Sequence, residues 1–343
     1  MQEKGKIYLA VSLDVEEEGL FTGTYAQTQI SVTNTQSLSK LLPLIKLGIR
    51  PTLFTAYHVF LDQKSRNILA NLRDAFGCEI AAHLHFWNTP PLPKDLAALS
   101  HPLTRVPAFK LGPKLFAAKL NALLNAACDF QKEDILSFRM GRWDMHEAYW
   151  ETLARAHILT DASVRPVHGT ESKEKQPNFF LAQATPYWIP TKSAPIFEVP
   201  LTVTPLFNWL PKALVALESG PEFCHNLSIY LQARMNYWGA LALLPVYQPL
   251  WMLKLITEIY VARGGKVISI TWHSSEMMPG ATPHLPTNSA VDKFLNRVQN
   301  YLLWLTKRYD IVSLTMNDLR NTLGGTSKTV VAPSGSDFSV TSQ

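Results

Sequence analysis

Two carboxylates, two residues apart, follow one apolar segment, and two imidazoles with the same spacing end another. Asp14 and Glu16 follow the run KIYLAVSL, and His83 and His85 end the segment CEIAAHLH. Residues i and i+2 of an extended strand point to the same face, so each pair aims at one point. Carboxylates that share a site can divide into a metal ligand and a proton acceptor, and imidazole with carboxylate suits zinc and similar divalent ions. These four side chains predict a divalent metal site, whereas the adjacent Glu17 and Glu18 are predicted to form a solvated loop.

Apolar segments typical of strands alternate along the chain with amphipathic segments typical of helices. Strands are predicted at residues 6–13, 51–57, 78–85, 134–140, 158–164, 196–201, 266–273 and near Ile311. Helices are predicted at residues 35–47, 59–75, 144–157, 289–307 and 316–323, from Gly112 onward, and over most of 208–263. Seven or eight strands, each followed by a helix, predict either a β/α barrel or an open doubly wound sheet.

The positions of the polar side chains favour the barrel. Six of them fall at the C-terminal ends of predicted strands: Asp14, His83, His85, Arg139, Asp161 and His273. Barrel enzymes collect their catalytic groups at that end, so a single α/β barrel domain is expected over residues 1–323. Residues 205–263 are expected to form a helical insertion or lid, and the Gly-, Ser- and Thr-rich residues 324–343 a disordered tail.

Composition narrows the classes of protein. With 343 residues, 47% of them hydrophobic and 17% charged, the chain can bury a large core. The net charge of +5 is spread over the chain with no run of five or six like charges, and the sequence has no phosphate-binding glycine pattern, so neither nucleic acid nor a nucleotide cofactor is indicated. The three cysteines cannot all pair, and no apolar stretch of signal-peptide length precedes the first carboxylates, so a cytoplasmic location is expected.

Five segments resemble, in order, the motifs of the polysaccharide-deacetylase (NodB-homology, carbohydrate esterase 4-like) family. They are SLDVEEEG, EIAAHLHFWNTPP, FRMGRW, DASVRP and ITWHSSE, which span Ile7 to about Glu276 and represent a variant with D-V-E and H-L-H-x-W forms. The resemblance implies a distorted (β/α) barrel and a divalent metal, for which zinc is the expected ion. It also implies hydrolysis of an N-acyl group, expected to be N-acetyl, on a sugar of a glycan or glycan precursor.

The same resemblance implies roles for individual residues. Asp14 matches the catalytic base and is also a candidate metal ligand, and Arg139 resembles the arginine that would hold the base by a bidentate pair. Asp161 and His273 would form a second catalytic half, in which the aspartate accepts from one imidazole nitrogen and the other delivers a proton to the departing amine. Two aromatic side chains are candidate substrate contacts, Trp87 and Trp143.

The sequence departs from the family pattern in two places. The family usually places its second metal histidine four residues after the first, and that position is Trp87 here, with His85 as the nearest substitute and Asn88 as a weaker one. Val15 replaces the second of two common aspartates, and Glu16 stands where related variants place the metal carboxylate. A catalytically inactive glycan-binding homologue is therefore one alternative function.

The aromatic segment from Trp209 to Trp251 bears on the substrate. Its uncharged part, from Asn236 to Leu253, is interrupted by Pro245 and fits a buried or interfacial helix better than a spanning one. A lipid- or nucleotide-linked sugar, with peripheral membrane contact through this segment, is one interpretation, and a lid packed on the barrel is the other. Hydrolysis of a different C–N bond, in a formamide or ureide, is the second enzymatic alternative. The sequence does not indicate an oligomeric state.

Overall fold

The computed structural model describes residues 5–23, 25, 29–92, 108–128, 130, 134–168 and 179–324. Except for Gly324, the tail predicted to be disordered lies outside these ranges. All three cysteines are free. Within the described ranges, no helix is both long enough and apolar enough to cross a membrane.

The described strands form a large curled sheet and one small hairpin. In chain order they are β1 Lys6–Val15, β2 Thr52–Ala56, β3 Glu79–Leu84, β4 Ser137–Met140, β5 Thr160–Asp161, β6 Tyr187–Ile189, β7 Ile196–Glu198, β8 Val203–Pro205, β9 Ala240–Ala242, β10 Val267–His273 and β11 Asp310–Ser313. The large sheet has the order β10-β1-β2-β3-β4-β5-β7-β6, with β11 paired to the first half of β1. All of its pairs are parallel except β6 with β7, and β8 and β9 form the antiparallel hairpin.

Ten α-helices lie between or after the strands in the described residues, although none separates β5, β6, β7 and β8. They are α1 Leu42–Ile45, α2 Tyr57–Leu61, α3 Gln63–Phe76, α4 Gly112–Cys128, α5 Glu147–Arg155, α6 Leu210–Leu217, α7 Glu222–Trp238, α8 Leu250–Ala262, α9 Asn288–Arg308 and α10 Met316–Leu323. Short 3-10 helices occupy Leu20–Thr22, Thr33–Leu41, Ala108–Leu111, Gly141–Trp143, Phe179–Leu181 and Ser274–Met277.

Strand β1 is buried on both faces, and the alternation of its side chains determines the direction of Asp14. Leu9, Val11 and Leu13 belong to the main core cluster, together with residues of the surrounding helices. On the alternate positions, Ala10 belongs to a smaller cluster with residues of β2, β3, β7 and α10, and Asp14 continues that face. Because side chains alternate along a strand, Asp14 points to the concave side of the curled sheet, opposite the face that packs in the main core cluster.

The two sides of the curled sheet are joined at Thr202 and Ser269. The Thr202 N–H donates to the Ser269 carbonyl at 3.2 Å, and the Ser269 N–H donates to Thr202 Oγ1 at 2.8 Å. These bonds connect the segment after β7 to β10 across the gap in strand pairing. The architecture is therefore the predicted distorted (β/α) barrel. Every predicted strand is present, while β6 and the β8–β9 hairpin, whose strands have three residues each, were not predicted.

Residues 205–263 carry an unusual apolar surface. Among the described residues, every large exposed hydrophobic side chain except Leu61 and Leu92 lies between Leu206 and Leu255. Helix α7 buries Ser228 and Gln232 together with Met235, whereas Phe223 is 76% exposed and Tyr237 89% exposed. We call the exposed apolar side chains of 206–255 the aromatic surface.

Candidate functional site

The predicted site residues occupy the C-terminal ends of neighbouring parallel strands. Asp14 of β1 pairs in register with His273 of β10 on one side and Phe54 of β2 on the other. His83 of β3 pairs in register with Arg139 of β4. This register places the side chains that the sequence separates by more than 250 residues at one end of the barrel, as predicted.

Glu16, His83 and His85 form a compact buried cluster. Glu16 Oε2 lies 3.3 Å from His83 Nε2 and 3.1 Å from His85 Nε2, and the two Nε2 atoms are 3.0 Å apart. All ligand atoms of the three lie within 4.8 Å of one another, which fits a single metal ion. Asp14 is not in this group: its Oδ2 is 4.0 Å from His83 Nε2.

The hydrogen bonds of the two imidazoles test whether this cluster suits a cation. His83 Nδ1 lies 3.0 Å from the Arg139 carbonyl, and His85 Nδ1 lies 2.8 Å from Glu17 Oε1. Both partners only accept, so both Nδ1 atoms carry the proton, and in the neutral rings both Nε2 lone pairs face Glu16. Three electron-pair donors aimed at one point require a positive charge between them. This set of ligand atoms fits a divalent metal ion.

In the absence of a metal, a proton supplies that charge. Burial alone would lower the pKa of His85, but Glu17 and Glu16 raise it to about 10. Burial would raise the pKa of Glu16, but His273, His83 and His85 lower it well below its ordinary value. The cluster therefore consists of an ionised carboxylate, Glu16, and a histidine, His85, whose raised pKa favours the protonated form.

Glu17 is buried, so the prediction that it lies in a solvated loop is wrong. Its Oε1 accepts hydrogen bonds from His85 Nδ1, from Trp87 Nε1 at 3.0 Å and from Asn88 Nδ2 at 2.6 Å. A carboxylate behind a ligating histidine fixes the ring and its tautomer and increases its basicity. Glu17 thus holds His85 in the orientation that the cluster needs.

Trp87 contacts the cluster from behind and does not present a face to a substrate. It is only 1% exposed, and its ring stacks on His85 with 4.2 Å between centroids and 22° between planes. The prediction of Trp87 as a substrate contact is therefore wrong. On another side of His85, a Cβ on Gly141 would lie 2.3 Å from His85 Cδ2 and 2.9 Å from the Leu84 carbonyl, so the close packing here requires glycine.

Arg139 contacts Asp14 as predicted, but through one bond. Its NH1 donates to Asp14 Oδ1 at 2.6 Å and to Thr271 Oγ1, while NH2 donates to Ser12 Oγ. The predicted bidentate pair is not formed, because the second nitrogen has a hydroxyl partner. Burial would raise the pKa of Asp14, but the Arg139 guanidinium and the nearby histidines lower it below its ordinary value. Asp14 is consequently held ionised, with Oδ2 directed toward His83 and His273.

His273 has a different partner from the one predicted. Its Nδ1 lies 3.2 Å from Glu276 Oε2, which also accepts the backbone N–H of His273 at 2.8 Å. Its Nε2 lies 3.7 Å from Asp14 Oδ2, and the side chain is 25% exposed. Burial would lower the pKa of His273, but Glu276, Glu16 and Asp14 raise it to about 10. His273 is a protonated imidazole at neutral pH.

Asp161 does not pair with His273; it lies in a separate buried group. Trp150 Nε1 donates to Asp161 Oδ2 at 2.6 Å, and the Ser163 hydroxyl donates to Oδ1. Asp161 is opposite Glu198 in the β5–β7 register, and burial raises the pKa of both carboxyl groups, that of Glu198 by more. The hydrogen bonds of Asp161 thus go to Trp150 and Ser163, and the partner of His273 Nδ1 is Glu276.

Trp143 remains a candidate substrate contact. Its ring lies over the Arg139 guanidinium, 4.9 Å from centroid to Cζ, and its side chain is partly exposed at the barrel end. Its backbone φ of 59° is in the left-handed region, where a tryptophan is uncommon. The local chain is held in this conformation beside the site.

Comparisons with known proteins identify the fold. No protein-family profile and no curated protein sequence matches the chain. A solved structure of a candidate polysaccharide deacetylase from Mycobacterium smegmatis is 14% identical, with 97% of this chain and 96% of that chain covered and a TM-score of 0.55. A candidate glycoside hydrolase/deacetylase from Parabacteroides distasonis is 10% identical, with 95% and 73% covered and a TM-score of 0.53. The chain therefore has the distorted (β/α)-barrel fold found in these two deacetylase-type structures.

Proposed function

We propose that this chain is a metal-dependent hydrolase that removes an N-acyl group, N-acetyl in the first instance, from a sugar of a glycan or glycan precursor. The observation that carries the proposal is the convergence of Glu16, His83 and His85 beside Asp14 at the C-terminal end of a deacetylase-type barrel. Zinc is the proposed ion, because one carboxylate and two imidazoles are its ordinary ligands.

A divalent ion bound by Glu16, His83 and His85 would supply Lewis acidity, which polarises an amide carbonyl and lowers the pKa of water. Asp14 lies next to that cluster and has one carboxylate oxygen, Oδ2, that Arg139 does not hold. Arg139 keeps Asp14 ionised, so Asp14 can accept the proton of the attacking water. We assign Asp14 as the general base.

His273 occupies the opposite side of Asp14 and carries a proton at neutral pH. Because Glu276 engages Nδ1, Nε2 is the nitrogen that faces the site. As the C–N bond breaks, the departing amine needs a proton, which His273 Nε2 can deliver. We assign His273 as the general acid and Glu276 as the residue that positions it.

Metal analysis of the purified protein, followed by product analysis over N-acylated sugars, tests this function. We expect about one zinc ion per chain and acetate release that chelation abolishes and added zinc restores. Formate release, or turnover of a ureide, would support the alternative C–N bond hydrolases. A metal-free protein that binds glycans without turning them over would support the inactive homologue and contradict our proposal.

We further propose that the aromatic surface makes peripheral contact with a lipid membrane at the cytoplasmic side. Its Trp and Tyr side chains, including Trp209 and Tyr237, are the types that reside at membrane interfaces. Liposome flotation tests this contact. We expect the wild type and a Leu61→Asp control to float, and a Phe223→Asp, Tyr237→Asp variant to stay at the bottom; flotation of that variant would refute the contact.

A further inference from the structure

Arg165 has no acidic partner among the residues that the structure describes. Its NH2 donates to Asn236 Oδ1 at 3.2 Å, and its Nε is buried without a hydrogen-bond partner. Among the described residues, no carboxylate lies within ion-pair distance of Arg165, although other arginines near the barrel end, such as Arg139, have one. A partly buried guanidinium without a counter-charge is unfavourable in the free protein, and an anion would compensate it.

Arg165 lies at the same end of the barrel as the proposed catalytic residues. It follows β5 by four residues, beyond the C-terminal end of that strand. Tyr247 is near both Arg165 and Glu276: burial raises the pKa of Tyr247, Glu276 raises it further and Arg165 lowers it. Glu276 in turn holds His273. Tyr247 thus lies within electrostatic range of both Arg165 and Glu276, the carboxylate that holds the proposed general acid.

The groups around Arg165 are hydrogen-bond donors held in place by Asn236. Since Asn236 Oδ1 accepts from Arg165, its Nδ2 faces His168 Nδ1, at 2.8 Å. Nδ2 donates, so His168 Nδ1 accepts, and the proton of the neutral ring is on Nε2. Burial, followed by the charge of Arg165, lowers the pKa of His168 to about 4, so the ring is neutral at pH 7. The Arg165 guanidinium and the neutral His168 ring are thus both held by the Asn236 amide.

We propose that Arg165, with His168, binds an anionic group of the substrate, a phosphate or a carboxylate, while the acylated nitrogen lies at His273. The inference rests on the proposed function and narrows it to anionic glycans or sugar phosphates. Planar guanidinium groups bind both kinds of anion by paired, charge-assisted hydrogen bonds.

Deacylation of three substrates that share N-acetylglucosamine tests the inference: the neutral disaccharide, the 1-phosphate and a disaccharide with a glucuronate. We expect the wild type to prefer one of the anionic substrates, and the preferred one identifies the anion. Arg165→Gln should raise the KM for that substrate about tenfold or more and leave the neutral substrate unchanged. Arg155→Gln, which removes an exposed arginine elsewhere, is the matched control.

Equilibrium binding separates the failure of this inference from that of the proposed function. Calorimetry with N-acetylglucosamine 1-phosphate and the glucuronate disaccharide needs no turnover. Binding that Arg165→Gln abolishes and Arg165→Lys partly retains would support the anion site even if no substrate were hydrolysed. Equal KM values and equal affinities for anionic and neutral sugars, unchanged in Arg165→Gln, would overturn it. Arg165→Lys also serves if the glutamine variant fails to fold.

Discussion

Glu17 Oε1 lies 2.8 Å from His85 Nδ1, and this contact directs His85 Nε2 toward Glu16 and His83. The bond joins a residue of the first motif segment to a residue of the second, and it is buried on both sides. In the usual family pattern the second metal histidine would stand at the position of Trp87. Here the second histidine is His85, and the contact with Glu17 holds its ring in place.

Replacing Glu17 with glutamine should weaken metal binding. The variant keeps the shape of the side chain but removes the charge that orients His85 and makes it basic. Losses of such supporting groups typically cost about 10- to 100-fold in metal affinity. Competition titration with a chromogenic chelator measures the zinc Kd, and Glu222→Gln, an exposed change in α7, is the control. An unchanged Kd would show that Glu17 has no role in the metal site.

Gly141→Ala should disturb the same histidine by steric contact. The new Cβ would meet His85 Cδ2 at 2.3 Å and backbone at 2.9 Å, so the ring must move. We expect a lower zinc affinity and a lower kcat with the fold retained by circular dichroism. Gly5→Ala places its Cβ where nothing lies within 4 Å and should behave as wild type. Normal zinc affinity in Gly141→Ala would mean that the ring position is not critical.

Asp14→Asn should remove the general base without removing the metal site. Glu16, His83 and His85 are unchanged, so zinc should still bind with comparable affinity. Loss of a general base typically reduces the rate by about 10²- to 10⁴-fold. Steady-state acetate release and zinc titration on the same preparation measure both quantities. A variant that retains near-normal kcat would eliminate Asp14 as the base.

Glu276→Gln should move the alkaline limit of activity to lower pH. The general acid must be protonated, and Glu276 is the largest of the charges that raise the pKa of His273 to about 10. Without that charge, the pKa falls and His273 loses its proton at a lower pH. The kcat/KM profile from pH 6 to 10 records the shift. Asp161→Asn changes a side chain that bonds to Trp150 and Ser163, and it should leave the alkaline limit in place. A shift in Asp161→Asn and none in Glu276→Gln would support the predicted Asp161–His273 pair instead.

The metal-free protein should lose stability as the solution becomes alkaline. His85 has a folded-state pKa of about 10 against an ordinary value of 6.5, so its protonated form stabilises the fold. That contribution is complete below about pH 6.5 and is lost as the pH rises through about 10. Thermal unfolding of chelated protein measured across this window tests it. Zinc must displace the same proton, so calorimetry in buffers of different ionisation enthalpy should detect proton release on binding.

The sequence allowed the barrel and the end that carries the polar site residues to be predicted, because several strands are largely apolar segments that stop at a polar residue. Asp14, His83 and Arg139 follow that rule, and the structure brings them together. The short strands β8 and β9 were missed, and β9 lies inside residues 208–263, which were predicted to be largely helical. Asp161 also ends a strand, but position along a strand does not determine which partner a side chain finds.

Two local signals could have found the residues that were missed. His85, Trp87 and Asn88 place several N–H donors in one short apolar segment, and such a segment requires a buried acceptor, which Glu17 provides. The spacing of His273 and Glu276 is that of a capping box at the start of the Ser274–Met277 3-10 helix, and Glu276 Oε2 accepts the backbone N–H of His273. A run of three glutamates conceals the first signal, because Glu16 and Glu17 are both buried although the run resembles a solvated loop.

Helix α7 connects two surfaces of different chemistry. Asn236 holds Arg165 and His168, while Phe223 and Tyr237 of the same helix extend away from the barrel. A contact that orders this helix from outside would therefore also order the guanidinium, and the two binding free energies would be linked. Such linkage is reciprocal: if an apolar surface tightens anion binding by some factor, the anion tightens attachment to that surface by the same factor. Substrate binding would then strengthen attachment to the apolar surface, and attachment would strengthen substrate binding.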